Sequence, residues 1–179
     1  MKTILWTLLS LTISSPLYAG TLPTSQDHEF ESTDSSARWY FGFGPAFLSG
    51  LNIGGTGVGI EGARLWPVTS AEIRLALDFS IKGSAYMAGA GIGANYFVLK
   101  DDISPYIGGE FGFGLAKADG DVGITGETNG GFTFAFGVGV QFFRRSSVHL
   151  DLGLKGRFLL RSATHGTPQV YVLHAGIVF

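Results

Sequence analysis

The sequence predicts an all-β protein built as an eight-stranded antiparallel up-and-down transmembrane β-barrel. Three observations carry that expectation. Side chains alternate between apolar and small or polar along eight segments of roughly ten residues, the length of a strand that crosses a bilayer at a tilt. The connections between the segments alternate between short and longer. Glycine is in excess: 28 of 179 residues, about twice the ordinary share. The chain is 45% hydrophobic and 15% charged, against ~25% charged residues in a typical soluble domain.

The period of two is strict in four segments. Over 71–81, Ala71, Ile73, Leu75, Leu77, Phe79 and Ile81 share one face, opposite Glu72, Arg74, Ala76, Asp78 and Ser80. Over 132–142, three Phe and two Val end at Phe142, opposite Thr133, Ala135, Gly137, Gly139 and Gln141. Over 148–160, Val148, Leu150, Leu152 and Leu154 oppose His149, Asp151, Gly153, Lys155 and Arg157. Over 171–179, Tyr171, Leu173, Ala175, Ile177 and Phe179 share one face. Successive side chains of a strand point to opposite faces, so such alternation is a strand signal. Segments 38–48, 56–65, 86–98 and 106–117 repeat the pattern with glycine on the non-apolar face. Connections 66–70, 100–104 and 144–147 are short. Those at 48–55, 117–130 and 161–168 are longer, and 81–85 is a short one on the long side. Short turns on one side and longer loops on the other fit an outer-membrane barrel with both termini in the periplasm.

The first 19 residues do not belong to that pattern. Lys2, an apolar run over 4–13, the break at Ser14-Ser15-Pro16 and the small residue Ala19 have the order of a secretory signal peptide. The run is too short to span a bilayer as a helix, which needs ~20 residues. Residues 20–37 are polar, acidic and aperiodic, and are expected to form a flexible tail. The barrel domain is then 38–179.

A soluble β-sandwich also alternates, but it presents Lys, Glu and Thr to water. Here the non-apolar face is mostly glycine with a few charges. Glycine is poor in a strand unless space is tight, and an eight-stranded barrel is only just wide enough for side chains to fill. Closure also removes the edges that lipid cannot satisfy. The polar face is therefore the interior. It carries Glu61, Glu72, Arg74, Asp78, Asn95, Glu110, Gln141, His149, Asp151, Lys155, Arg157 and His174, with Arg64 depending on register. Buried charges must be paired or hydrated, so an internal network is expected. Most of it falls in the periplasmic half. Gly89, Gly91, Gly112 and Gly114 fall higher, which suggests a roomier pocket above a polar plug. Trp39, Tyr40, Trp66, Tyr96, Tyr106, Phe143 and Phe179 are candidates for an aromatic girdle at the periplasmic rim. Tyr86 and Phe158 are candidates for the outer one.

The end of the chain, apolar at Tyr171, Leu173, Ala175, Ile177 and the terminal Phe179, resembles the C-terminal signature by which outer-membrane barrels are recognised for assembly. With eight strands, an export signal and periplasmic termini, 38–179 resembles the small outer-membrane barrel superfamily typified by the OmpA transmembrane domain and OmpX. The resemblance is architectural. It implies the fold, an outer-membrane location in a Gram-negative bacterium, and contact with lipid, lipopolysaccharide and the barrel-assembly machinery.

Other chemistry has little support in the residues. There is no Cys, which excludes disulfides, thiol chemistry and Cys-ligated zinc. The net charge of −2 gives no footprint for nucleic acid. No cofactor is implied. Gly57-x-Gly59-x-x-Gly62 and Gly89-x-Gly91-x-x-Ala94 resemble dinucleotide fingerprints, but no helical pattern follows either. Asp119-Gly-Asp121 opens like a calcium loop and lacks its third ligand. The four His show no metal-ligand spacing. A lipid A-modifying enzyme would need a nucleophilic Ser with a base and an acid. His149 and Asp151 share a face without a Ser, and Ser162, His165 and Glu127 form an unsupported set. The expectation is a non-enzymatic envelope-structural or surface-interaction protein. A narrow pore or transporter is the first alternative, and lipid A modification the second.

Overall fold

The computed structural model describes residues 36–50, 55–117, 128–160 and 167–179. The predicted export signal and nearly all of the acidic tail lie outside these residues. So do 51–54, 118–127 and 161–166 of the longer loops, including Asp119, Asp121, Glu127, Ser162 and His165.

Eight strands form in chain order: β1 (Arg38–Ser49), β2 (Gly55–Val68), β3 (Ala71–Lys82), β4 (Ala85–Phe97), β5 (Ile103–Lys117), β6 (Thr128–Phe142), β7 (His149–Leu160) and β8 (Gln169–Val178). Each pairs with the next, and β8 pairs with β1, so the sheet is a closed antiparallel barrel. Several strands run past the limits that alternation alone defines. β5 begins at Ile103 because Ser104 and Pro105 pair with Gln141 and Val140 on β6. The Gly83–Ser84 connection between β3 and β4 is tight, with Gly83 at a φ of 59°, a conformation that glycine reaches without a Cβ penalty.

Closure is completed at the chain ends. The Trp39 N–H donates to the Phe179 carbonyl at 2.7 Å, and the Phe179 N–H returns a bond to Trp39 at 2.9 Å. The β1–β8 pairing runs from Tyr40↔Val178 to Phe43↔Ala175 and resumes at Ala46↔Val172. Pro45, with no N–H to donate, lies in the gap. The strands are strongly staggered. Stepping from partner to partner round the barrel from Arg38 passes Leu65, Arg74, Gly93, Glu110, Ala135, Arg157 and Val170, and returns to β1 at Leu48. Such a stagger accompanies the strand tilt that closing a sheet requires.

The pleat sorts the side chains. Phe41, Phe43, Ile60, Leu75, Leu77, Ile92, Phe111, Phe113, Phe134, Leu152 and Leu173 all stand outward and exposed. Their inward neighbours are buried or half-buried. Toward the loop-bearing rim the interior is apolar: Ala46, Leu48, Ala85, Met87, Ala116, Leu159 and Val170 pack together with Val172 against them. Toward the rim that carries the termini, Tyr40, Ala63, Leu65, Ala76 and Val178 form a second cluster.

The expected roomier upper pocket is therefore absent among the described residues. Apolar side chains fill that end. A Cβ on Gly89 would meet the Arg157 guanidinium at 2.5 Å, and one on Gly91 would meet a Glu110 carboxylate oxygen at 2.6 Å. These glycines make room for long charged side chains from other strands, and the space is occupied. The girdle assignment also needs correction at two positions. Tyr40 and Tyr106 are buried inside the barrel, because each shares strand parity with inward residues, Gly42 and Glu110. Trp39, Trp66, Tyr96, Phe143 and Phe179 are exposed on the outside, while Tyr86 and Phe158 are half-buried there.

Candidate functional site in the barrel interior

Eleven of the twelve polar residues placed inside by alternation are buried, and the Asp78 side chain is 11% exposed. They come together in three groups along the barrel axis.

The middle group is ionic. Lys155 on β7 lies 3.1 Å from Glu61 on β2, 3.8 Å from Asp78 on β3 and 2.8 Å from Glu110 on β5. Arg157, two residues along β7, pairs with both Asp78 and Glu110 and donates to Thr133 on β6 at 2.9 Å. Arg74 on β3 pairs with Glu61, and its guanidinium lies 5.5 Å from the Tyr40 ring centre. Three carboxylates face three cations. An isolated buried charge costs several kcal/mol of desolvation, so a balanced and hydrogen-bonded set is the arrangement that such an interior can hold.

The second group lies nearer the terminal rim. Asp151 accepts hydrogen bonds from Tyr106 at 3.0 Å and from His174 at 2.9 Å. The Tyr40 and His174 rings meet edge to face at 6.2 Å. The third group closes the rim itself. Gln141 donates to Glu72 at 3.2 Å, and Arg38 donates to the His149 Nε2 at 2.5 Å. Arg144, from the β6–β7 turn, stacks 3.7 Å from the Phe97 ring centre. Asn95 stands against Gly108.

His149 and Asp151, a potential base and acid two residues apart, do not form a couple: each is held by different partners. Arg64 stands on the outer face, its guanidinium 4.6 Å from the Trp39 ring centre. Tyr40, Tyr106 and Thr133 belong to the interior network although their residue types did not single them out. Their parity relative to Gly42, Glu110 and Gln141 was the available signal.

Among the described residues, the cavities along the interior include two of about 20 Å³ each. Each has room for roughly one water molecule. His174 and Lys155 border both.

On the outer surface, the apolar side chains of all eight strands form a continuous belt. An apolar surface of that extent is incompatible with exposure to water and suits lipid. The C-terminal residues Leu173, Ala175, Ile177 and Phe179 join it, and Tyr171 packs edge to face on Phe158 at 5.8 Å.

No family model and no curated protein matches this sequence. Solved structures do match its fold. Neisserial surface protein A is 15% identical, with a TM-score of 0.67 over 79% of this chain and 95% of that one. The N-terminal β-barrel domain of Pseudomonas aeruginosa OprF is 13% identical, with a TM-score of 0.55 over 80% and 97%. Ail, the attachment invasion locus protein of Yersinia pestis, is 14% identical, with a TM-score of 0.50 over 80% and 97%. At these identities the likeness concerns the fold. The belt, the closed antiparallel sheet and these neighbours together identify the chain as having the fold of the small eight-stranded outer-membrane β-barrels.

Proposed function

We propose that the protein is a non-enzymatic integral outer-membrane barrel of a Gram-negative bacterium, with an interior that does not conduct. Its role is envelope-structural or one of surface interaction. The observation that carries this reading is the ionic group at the middle of the barrel. Lys155 and Arg157 reach from β7 to β2, β3 and β5, which closes the interior across its width. The apolar cluster above and the Glu72–Gln141 and Arg38–His149 pairs below close it again at either end. Among the described residues, an interior so occupied supports a barrel without a path for solutes. The outer face suits phospholipid and lipopolysaccharide. The exposed alternation of β8, ending at Phe179, suits docking to the barrel-assembly machinery during insertion. Surface interaction would fall to the loops at 48–55, 117–130 and 161–168, most of which lie outside the described residues.

Single-channel recording in planar bilayers tests the reading. The expected result is no stable conductance from correctly inserted protein. A reproducible, ion-selective conductance overturns it and makes the interior a pore. Lipid A mass spectra from cells with and without the gene are expected to be identical. A changed acyl pattern would instead make the protein an enzyme.

A further inference from the structure

The outward face of the described strands carries two charged side chains, Arg64 and Lys117. Both are cations and both are half-buried. They stand at opposite ends of the belt, Arg64 toward the rim of the termini and Lys117 at the loop-bearing end of β5. Each has an outward aromatic residue as its cross-strand partner: Trp39 for Arg64 and Tyr86 for Lys117. At ~3.3 Å per residue and a strand tilt of ~40°, the stagger places the two positions ~25 Å apart along the barrel axis. That is the height of the apolar band of an outer-membrane barrel, ~25 Å. The two cations therefore mark the two headgroup levels.

Arg64 is the better defined of the two. Its guanidinium lies over the Trp39 ring, 4.6 Å from the ring centre, which restricts where the fork can point. Trp66, two residues along the same face, is exposed beside it. Among the described residues, no carboxylate reaches Arg64: the acids of the strands are turned inward, where Glu61, Asp78 and Glu110 pair with Arg74, Lys155 and Arg157, Glu72 with Gln141, and Asp151 with Tyr106 and His174. A cation on the lipid face is costly at mid-bilayer and far less so at the interface. There the planar fork matches an anionic oxygen pair such as that of a phosphate, the anionic group that phospholipids place at this level.

We propose that Arg64, oriented by Trp39, binds the phosphate headgroup of a phospholipid in the leaflet at the periplasmic rim. The inference rests on the membrane reading above and adds a specific lipid contact to it. The full-length protein, recovered from membranes in detergent, is incubated with phosphatidylglycerol or with diacylglycerol of the same acyl chains, which has no phosphate. Native mass spectrometry then counts the retained lipid. The wild type is expected to retain phosphatidylglycerol and not diacylglycerol. Arg64→Gln is expected to lower retention about fivefold, Arg64→Lys less so, and Lys117→Gln little. The proposal is overturned by equal retention of both lipids, by unchanged retention in Arg64→Gln, or by an equal loss in Lys117→Gln. If Arg64→Gln yields no folded barrel, the wild-type comparison of the two lipids decides. Wild-type protein absent from membranes altogether would overturn the membrane reading as well.

Discussion

Arg157 on β7 forms an ion pair with Asp78 on β3, the strand diametrically opposite in the eight-stranded barrel. The pair crosses the interior, and the same guanidinium also pairs with Glu110 on β5. A backbone ladder ties each strand only to its neighbours. This side-chain bridge ties strands that share no ladder.

Removing Arg157 leaves Asp78 and Glu110 short of a partner in a buried setting. Breaking one member of such a set typically costs ~3–5 kcal/mol. Arg157→Met is therefore expected to lower stability by about that much in urea titrations of vesicle-inserted protein. Arg157→Met combined with Glu110→Leu should cost clearly less than the sum of the two single changes, because Lys155 still has Glu61 and Asp78. Strict additivity would show that the bridge is not a coupled unit.

The glycines divide into two kinds by what surrounds them. On Gly112 a Cβ would sit 2.0 Å from the Ala90 carbonyl oxygen, against backbone that cannot yield. On Gly109 the nearest atom is 4.0 Å away. Gly112→Ala is expected to destabilise by ~1–3 kcal/mol, the usual range for overpacking, whereas Gly109→Ala should stay within ~0.5 kcal/mol. Folding titrations of the two variants side by side check the contrast.

Tyr106 gives its hydroxyl to the Asp151 carboxylate at 3.0 Å. A hydrogen bond to a charged group contributes ~1.5–3 kcal/mol. Tyr106→Phe should cost an amount in that range while keeping the ring packed on Phe97 at 5.7 Å. An unchanged midpoint would mean that Asp151 is fully satisfied by His174.

Ile92 stands at the middle of the belt, 61% exposed. On a soluble sheet, Ile92→Arg would be nearly free. On a lipid face it should cost ~2–4 kcal/mol, read as a loss of folded fraction in vesicles. No loss of stability would count against the membrane reading.

Phe179→Ser keeps the backbone bonds to Trp39 and removes only the exposed ring. It is expected to reduce the amount of assembled, heat-modifiable protein in cells while leaving spontaneous refolding into vesicles nearly unchanged. An equal defect in both would place the role of Phe179 in stability, apart from recognition.

Much of this molecule was legible in one dimension. A strand's period of two is a local property, so alternation located the eight strands and placed most of the inward-facing residues. Glu72, Arg74 and Lys155 could be placed inside without knowing what they touch. Tyr40 and Tyr106 show where residue type misleads: aromatic character suggests a rim, but parity placed them in the interior. What only the tertiary structure decided is how the interior is filled. Glycine at 89 and 91 reads locally as empty space. The stagger of the closed sheet carries Arg157 and Glu110, from strands far apart in sequence, into that space. The pairing of Arg157 with Asp78, the apolar filling near the loops and the exposed stacking of Arg64 on Trp39 all depend on register. Register is set by closing the barrel, and no single segment contains it.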